Sequence, residues 1–125
     1  MKIWTNLLTT VVCVVLLCAG TSYAATILYT APAQAGSYTL FCDIVNVSPS
    51  TAAPKYVTIE IIDYDANVVN SYGPFSLSSG HGEYLGDSSG NGAYCRFTVT
   101  GAKTLFRAMA IYANGSGYHV IVPAQ

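Results

Sequence analysis

The sequence predicts an all-β fold: a two-sheet antiparallel sandwich of about seven short strands with one inter-sheet disulfide. Three observations carry this. Short runs of alternating apolar and polar residues recur along the chain, separated by turn residues. No segment shows sustained helical periodicity, and there is no repeat or low-complexity tract. Two cysteines, Cys42 and Cys95, each sit inside an apolar, β-rich run, Leu40 to Val45 and Tyr94 to Val99.

The first 24 residues read as a secretory leader, and residues 25–125 as a single β-sandwich domain. Met1-Lys2 gives a short basic start, Leu7 to Ala19 is almost wholly apolar, and Ser22-Tyr23-Ala24 is a small-x-small cleavage site. The apolar run of about 13 residues is short of the roughly 20 a membrane-spanning helix needs, so no stable span is expected after cleavage. Leu17 stands where a lipidated Cys18 would want a small neighbour. Cleavage removes Cys13 and Cys18 from the chain's 4 cysteines. An even pair in an exported domain reads as a disulfide.

With Lys2 removed, 4 basic residues face 6 acidic ones, a net charge of −2. Charged residues make up 9% of the chain, so Thr, Ser, Asn, Gly and Tyr must build much of the surface. No basic patch exists to neutralise phosphates, which excludes a nucleic-acid partner. Such a surface suits a secreted or periplasmic protein.

Taken in order, Thr26 to Thr30 is a short strand closed by Ala31-Pro32. Ser37 to Val47 follows, with Leu40, Cys42 and Ile44 on one face and Thr39, Phe41, Asp43 and Val45 on the other. Both faces hold apolar residues, as expected of a central strand covered on more than one side. A proline-bearing loop leads to Lys55–Asp63, where Val57, Ile59 and Ile61 oppose Tyr56, Thr58 and Glu60. Asp63 to Asn67 is a hairpin turn before Val68-Val69. Ser71-Tyr72-Gly73-Pro74 is expected to break the next strand, leaving Phe75-Ser76-Leu77 as a brief extended piece. Ser78 to Gly92 reads as loop, with only Glu83-Tyr84-Leu85 extended. Alternation returns at Tyr94 to Thr100 and again at Leu105 to Tyr112, where Arg107 marks a solvent side. Asn114-Gly115-Ser116-Gly117 is a hairpin turn, and Tyr118 to Val122 the last strand.

The two cysteine strands, one early and one late, resemble the bridged strands of immunoglobulin-like domains. The mature chain lacks tryptophan, and Tyr94 directly precedes Cys95 where that family places a tyrosine two residues before. The resemblance therefore implies the two-sheet architecture and no functional residue. In general look the chain is also similar to short exported bacterial proteins, which implies no mechanism.

Candidate chemistry is sparse. Asp63, Asp65 and Asn67 have the alternate spacing that opens a calcium loop. Val68 stands where such a loop needs glycine and Pro74 where it needs glutamate, so a plain turn is favoured and the metal site is weak. His81, Glu83 and Asp87 cluster in a glycine-rich stretch that reads as solvated loop. Ser76, Ser78, Ser79, Ser88 and Ser89 stand in no nucleophile turn, and His119 lies in the terminal strand. No catalysis and no cofactor are expected. Tyr56, Tyr64, Tyr72, Tyr84 and Tyr94 fall on polar faces or in loops, either as recognition rings or as ordinary strand residues with wet tips. The expectation is a non-enzymatic structural or binding protein at the envelope or outside the cell. A carbohydrate-binding module using those tyrosines is the alternative, and a fibre or pilus-type subunit ranks lower. The implied partners are a polysaccharide, another envelope protein, or a second copy joined through an edge strand.

Overall fold

The computed structural model describes residues 24–32, 38–117 and 119–125. The expected leader lies outside these residues apart from Ala24. The alternating runs become eight strands: β1 Ala25–Tyr29, β2 Thr39–Asn46, β3 Lys55–Ile62, β4 Val68–Leu77, β5 Gly82–Asp87, β6 Tyr94–Thr100, β7 Phe106–Ala113 and β8 His119–Pro123. A short 3-10 turn, Lys103–Leu105, precedes β7. The strands form two four-stranded sheets, ordered β1-β6-β3-β4 and β5-β2-β7-β8, with every pairing antiparallel.

Strict alternation in β2, β6 and the centre of β3 places one apolar row of each sheet in the space between them. Leu28, Leu40, Ile44, Val57, Ile59, Ile61, Phe97, Val99, Phe106 and Tyr112 meet there, all buried. Cys42 and Cys95 lie in that row, with Cα atoms 5.7 Å apart, and are joined as a disulfide. The bridge ties β2, flanked by β5 and β7, to β6, flanked by β1 and β3, so it links an interior strand of each sheet.

Two strands depart from expectation. β4 is not broken at Ser71–Pro74 but runs on to Leu77. Tyr72 pairs with Ile59 and Phe75 with Val57, so three steps on β4 match two on β3 and the extra residue is taken up as a bulge. Gly73, at φ +123°, approaches so closely that a Cβ would sit 2.6 Å from the Val57 carbonyl oxygen, which requires glycine. Pro74 is tolerated because β4 is an edge strand. The second departure is β5, whose six residues all pair with β2, from Leu40↔Asp87 to Val45↔Gly82. A stretch read as mostly loop is a complete edge strand.

The ends of β1 and β8 hold one side of the sandwich together. Thr30 and Ala124 form a bridge, and the Tyr29 and Gln125 main chains exchange hydrogen bonds of 3.1 and 2.9 Å. The first and last strands are sheet edges, as are β4 and β5. In the last hairpin, the Gly117 N–H donates to the Asn114 carbonyl, and the left-handed residue is Gly117 rather than Asn114 or Gly115.

Thr30, Asn46 and Ser48 are polar residues buried in the fold, and Asn46 is the most enclosed of them. Asn46 ends β2 fully buried; its amide donates to the Leu77 carbonyl (2.8 Å), and its Oδ1 accepts from the Ser48 N–H (3.0 Å) and hydroxyl (2.6 Å). It thereby fastens the end of the second sheet to the end of β4 in the first. Asn46→Ala should cost about 3 kcal/mol, because several buried polar groups lose their partner together. Replacing Cys42 and Cys95 together by alanine should cost about 4 kcal/mol, since the bridge closes a long loop. Urea unfolding of each variant checks both figures, and a loss below about 1 kcal/mol would contradict either assignment.

Candidate functional site

Because Cys42 must point inward to reach Cys95, its strand neighbours point outward. Phe41, Asp43 and Val45 therefore lie on the outer face of the second sheet. Register adds Tyr84 of β5 opposite Asp43, Met109 and Ile111 of β7 opposite Asp43 and Phe41, and Ile121 of β8 opposite Ile111. Phe41, Val45, Met109 and Ile111 are half-buried by their neighbours, while Tyr84 and Ile121 are 64% and 61% exposed. The Phe41 ring meets Tyr84 edge-on, centroids 6.3 Å apart, and lies over Gly86, where a Cβ would be 3.1 Å from the ring. The apolar content of this side of β2 led to an expectation of cover. No described residue supplies a second layer over it.

Near the middle of this face stands one carboxylate. Asp43 is flanked along its strand by Phe41 and Val45 and across it by Tyr84 and Met109. No donor among the described residues reaches it, and partial burial among these groups pushes its pKa above the ordinary carboxylate value. Arg107, diagonal to Asp43 on β7, is exposed; its Nη1 donates to the Phe106 and Thr104 carbonyls at 3.0 and 3.4 Å. Among the described side chains facing outward from this sheet, Asp43 is the one acid and Arg107 the one base.

The outer face of the first sheet is of a different kind. Thr58, Thr98, Thr100, Ser71 and Ser76 supply hydroxyls, and Arg96 pairs with Glu60 at 2.6 Å. Tyr29 and Tyr94 pack with ring centroids 6.3 Å apart at one end.

The five candidate tyrosines are not brought together. Tyr56 projects from the first sheet, and Tyr94, half-buried, packs on Tyr29 at the end of that same face. Tyr64 is exposed in the β3–β4 turn. Tyr72, opposite Ile59, stacks on Phe75 at 4.7 Å near the seam where Asn70 donates to the Gly86 carbonyl of the other sheet. Tyr84 alone joins the apolar face.

Asp63, Asp65 and Asn67 form a turn. The Asp63 carboxylate accepts from the Asn67 and Asp65 N–H groups (2.8 and 2.9 Å) and from the Asn67 amide (3.2 Å), and Ala66 takes φ 65°. These bonds, the Asn67 N–H foremost, hold the Asp63 pKa below its ordinary value. The carboxylate is engaged in shaping the hairpin. Asp87 similarly accepts from Ser89 and from the Gly92 N–H. Glu83 and Asp87 stand four residues apart on β5, roughly 13 Å along the strand. Among the described residues no group of three or more His, Cys, Asp or Glu could hold a metal ion. His119 begins β8, and its side chain lies outside the described residues.

The apolar face had a signal in the sequence. Phe41 and Val45 stand four residues apart, and Met109 and Ile111 two, each pair on the side away from the core, but which strands sit side by side is not local information.

The raised pKa of Asp43 fixes the sign of a pH effect. The folded state holds this proton more tightly than the unfolded one, so stability is greatest below the unfolded value and falls as pH rises through the folded one. Asp43→Asn should therefore raise the Tm of the dilute protein at neutral pH and leave it unchanged below the carboxylate range. An unchanged or lower Tm at neutral pH would show that the carboxylate is well partnered.

No protein-family model, curated protein or solved structure matches the chain.

Proposed function

We propose that this is a non-enzymatic exported protein that works by binding, and that it presents the outer face of the β5-β2-β7-β8 sheet to a protein partner. One observation carries the reading: an apolar sheet face of Phe41, Val45, Tyr84, Met109, Ile111 and Ile121 that no described residue covers. Contiguous apolar surface on a water-soluble domain marks a contact site. Its aliphatic and aromatic side chains match the centre of a protein–protein interface, where charged residues are depleted. Export is supported by the leader-like first 24 residues and by the buried Cys42–Cys95 bridge, which persists in oxidising compartments. At the level of architecture we read the domain as immunoglobulin-like, on its two antiparallel sheets and inter-sheet bridge. Its strand order is its own, since β7 joins the sheet of Cys42 and β1 that of Cys95.

A specific observation favours a second reading. The first sheet sets Tyr29, Tyr94 and Tyr56 among threonines and the Arg96–Glu60 pair. Rings beside hydroxyls and a fixed charge pair suit a polysaccharide, so the carbohydrate alternative belongs to this face.

Site-specific photo-cross-linking separates the two. A photoreactive residue placed at position 84 or 121, in the chain expressed with its own leader, should cross-link to protein in the native compartment. The same probe at position 56 should not. Equal cross-linking from position 56, or none from 84 and 121, would overturn the reading. Co-sedimentation with insoluble polysaccharide that is lost on Tyr56→Ala or Tyr94→Ala would establish the alternative.

A further inference from the structure

The geometry points to a second copy of this chain as the occupant of that apolar face, the two copies packing sheet to sheet about a two-fold axis. The inference rests on the reading that the face is a contact site. What it adds is the partner, which the placement of two charges selects.

Asp43 and Arg107 are placed for self-complementarity. Asp43 pairs with Met109 and Val45 with Arg107, so these four residues form a near-rectangle on two adjacent strands. Asp43 and Arg107 occupy one diagonal, roughly 8 Å apart, and Val45 and Met109 the other. A dyad lying in the interface and running close to the Val45–Met109 diagonal carries Asp43 of one copy over Arg107 of the other, and the reverse. Both charges are then paired at once, as an isologous interface requires. Val45 meets Val45, and Met109 meets Met109, along the axis.

The chemistry on each side fits. Asp43 has no donor of its own among the described residues. Arg107 uses Nη1 on backbone carbonyls, which leaves Nη2 and Nε, the edge that grips a carboxylate with two bonds. Around the four residues lie Phe41, Tyr84, Ile111 and Ile121, apolar groups that close against their own kind when two sheets stack about 10 Å apart. A sugar chain would set hydroxyls against Met109, Ile111 and Ile121. An unrelated protein would have to supply both an acid and a base at the matching diagonal. The second copy supplies them by symmetry.

The test uses the purified mature chain with its disulfide intact. Sedimentation equilibrium over a wide range of concentration should show a monomer–dimer equilibrium. Asp43→Arg and Arg107→Asp should each weaken it by about tenfold or more, and the double exchange should restore it to within a few-fold. As a readout that leaves both charges in place, Met109→Cys should form a disulfide-linked dimer on mild oxidation, whereas Thr58→Cys, on the other sheet's outer face, should not. A monomer at every concentration would overturn the second copy, as would a double exchange that fails to restore association or equal cross-linking at 109 and 58. If the pure chain is monomeric while position 84 or 121 still cross-links to a different protein in the native compartment, the second copy falls and the contact face stands. If neither cross-links, both fall.

Discussion

The disulfide sets the phase of the whole structure. In a strand, successive side chains point to opposite faces, so fixing one residue fixes the rest until a bulge intervenes. Cys42 and Cys95 must both face the space between the sheets, and each sits on a strand with neighbours on both sides. Leu40, Ile44, Phe97 and Val99 follow them inward as core, and all four are buried. The same rule sends Phe41, Asp43 and Val45 outward. The core and the apolar outer face are thus two consequences of one constraint, and a one-residue slip of β2 would exchange them.

That dependence explains what could be read from the sequence. The inward rows of β2, β3, β6 and β7 were legible because alternation is local, and the bridge was legible because two cysteines inside β-rich runs leave one pairing. β5 was not. Its glycines at 82 and 86 look like loop residues in isolation, yet in place they make room for Val45 and Phe41 of the partner strand, where a Cβ would come within 3.0 and 3.1 Å. Pro74 misled for a related reason: a proline forbidden inside a sheet is acceptable on an edge, and edges are known only from the strand order. The tyrosines show the same limit. Alternation placed them on polar faces or in turns, but only topology could show that Tyr56 and Tyr84 belong to opposite sides of the molecule.

Asn46 adds a further lesson about polar residues in apolar runs. Continuing the alternation of β2 carries the inward row past Ile44 to Asn46, a residue the core would reject without partners. Leu77 and Ser48 provide them, and the amide becomes a tie between the two sheets on the β4–β5 side of the sandwich, across from the β1–β8 bridge. Asp63 and Asp87 serve similar ends in the loops, each holding neighbouring N–H groups. Glu60 is likewise spent on a local ion pair with Arg96, while Asp65 and Glu83 stand exposed to solvent.

Asp43 differs from all of these in being half-buried with no hydrogen bond from a described residue, and the contrast gives the outer face its meaning. A carboxylate among Phe41, Val45, Tyr84 and Met109 loses hydration without gaining a hydrogen bond from any described residue, so its ionised form makes the isolated domain less stable. An apolar residue in that position would cost nothing comparable. The cost is offset once a cation closes over it, because the same low-polarity surroundings that penalise a lone charge strengthen a paired one. In a chain with 9% charged residues, an acid and a base set on one diagonal of an otherwise apolar face supply orientation that hydrophobic contact alone cannot. Apolar surfaces associate in many ways, whereas two charge pairs satisfied together admit one.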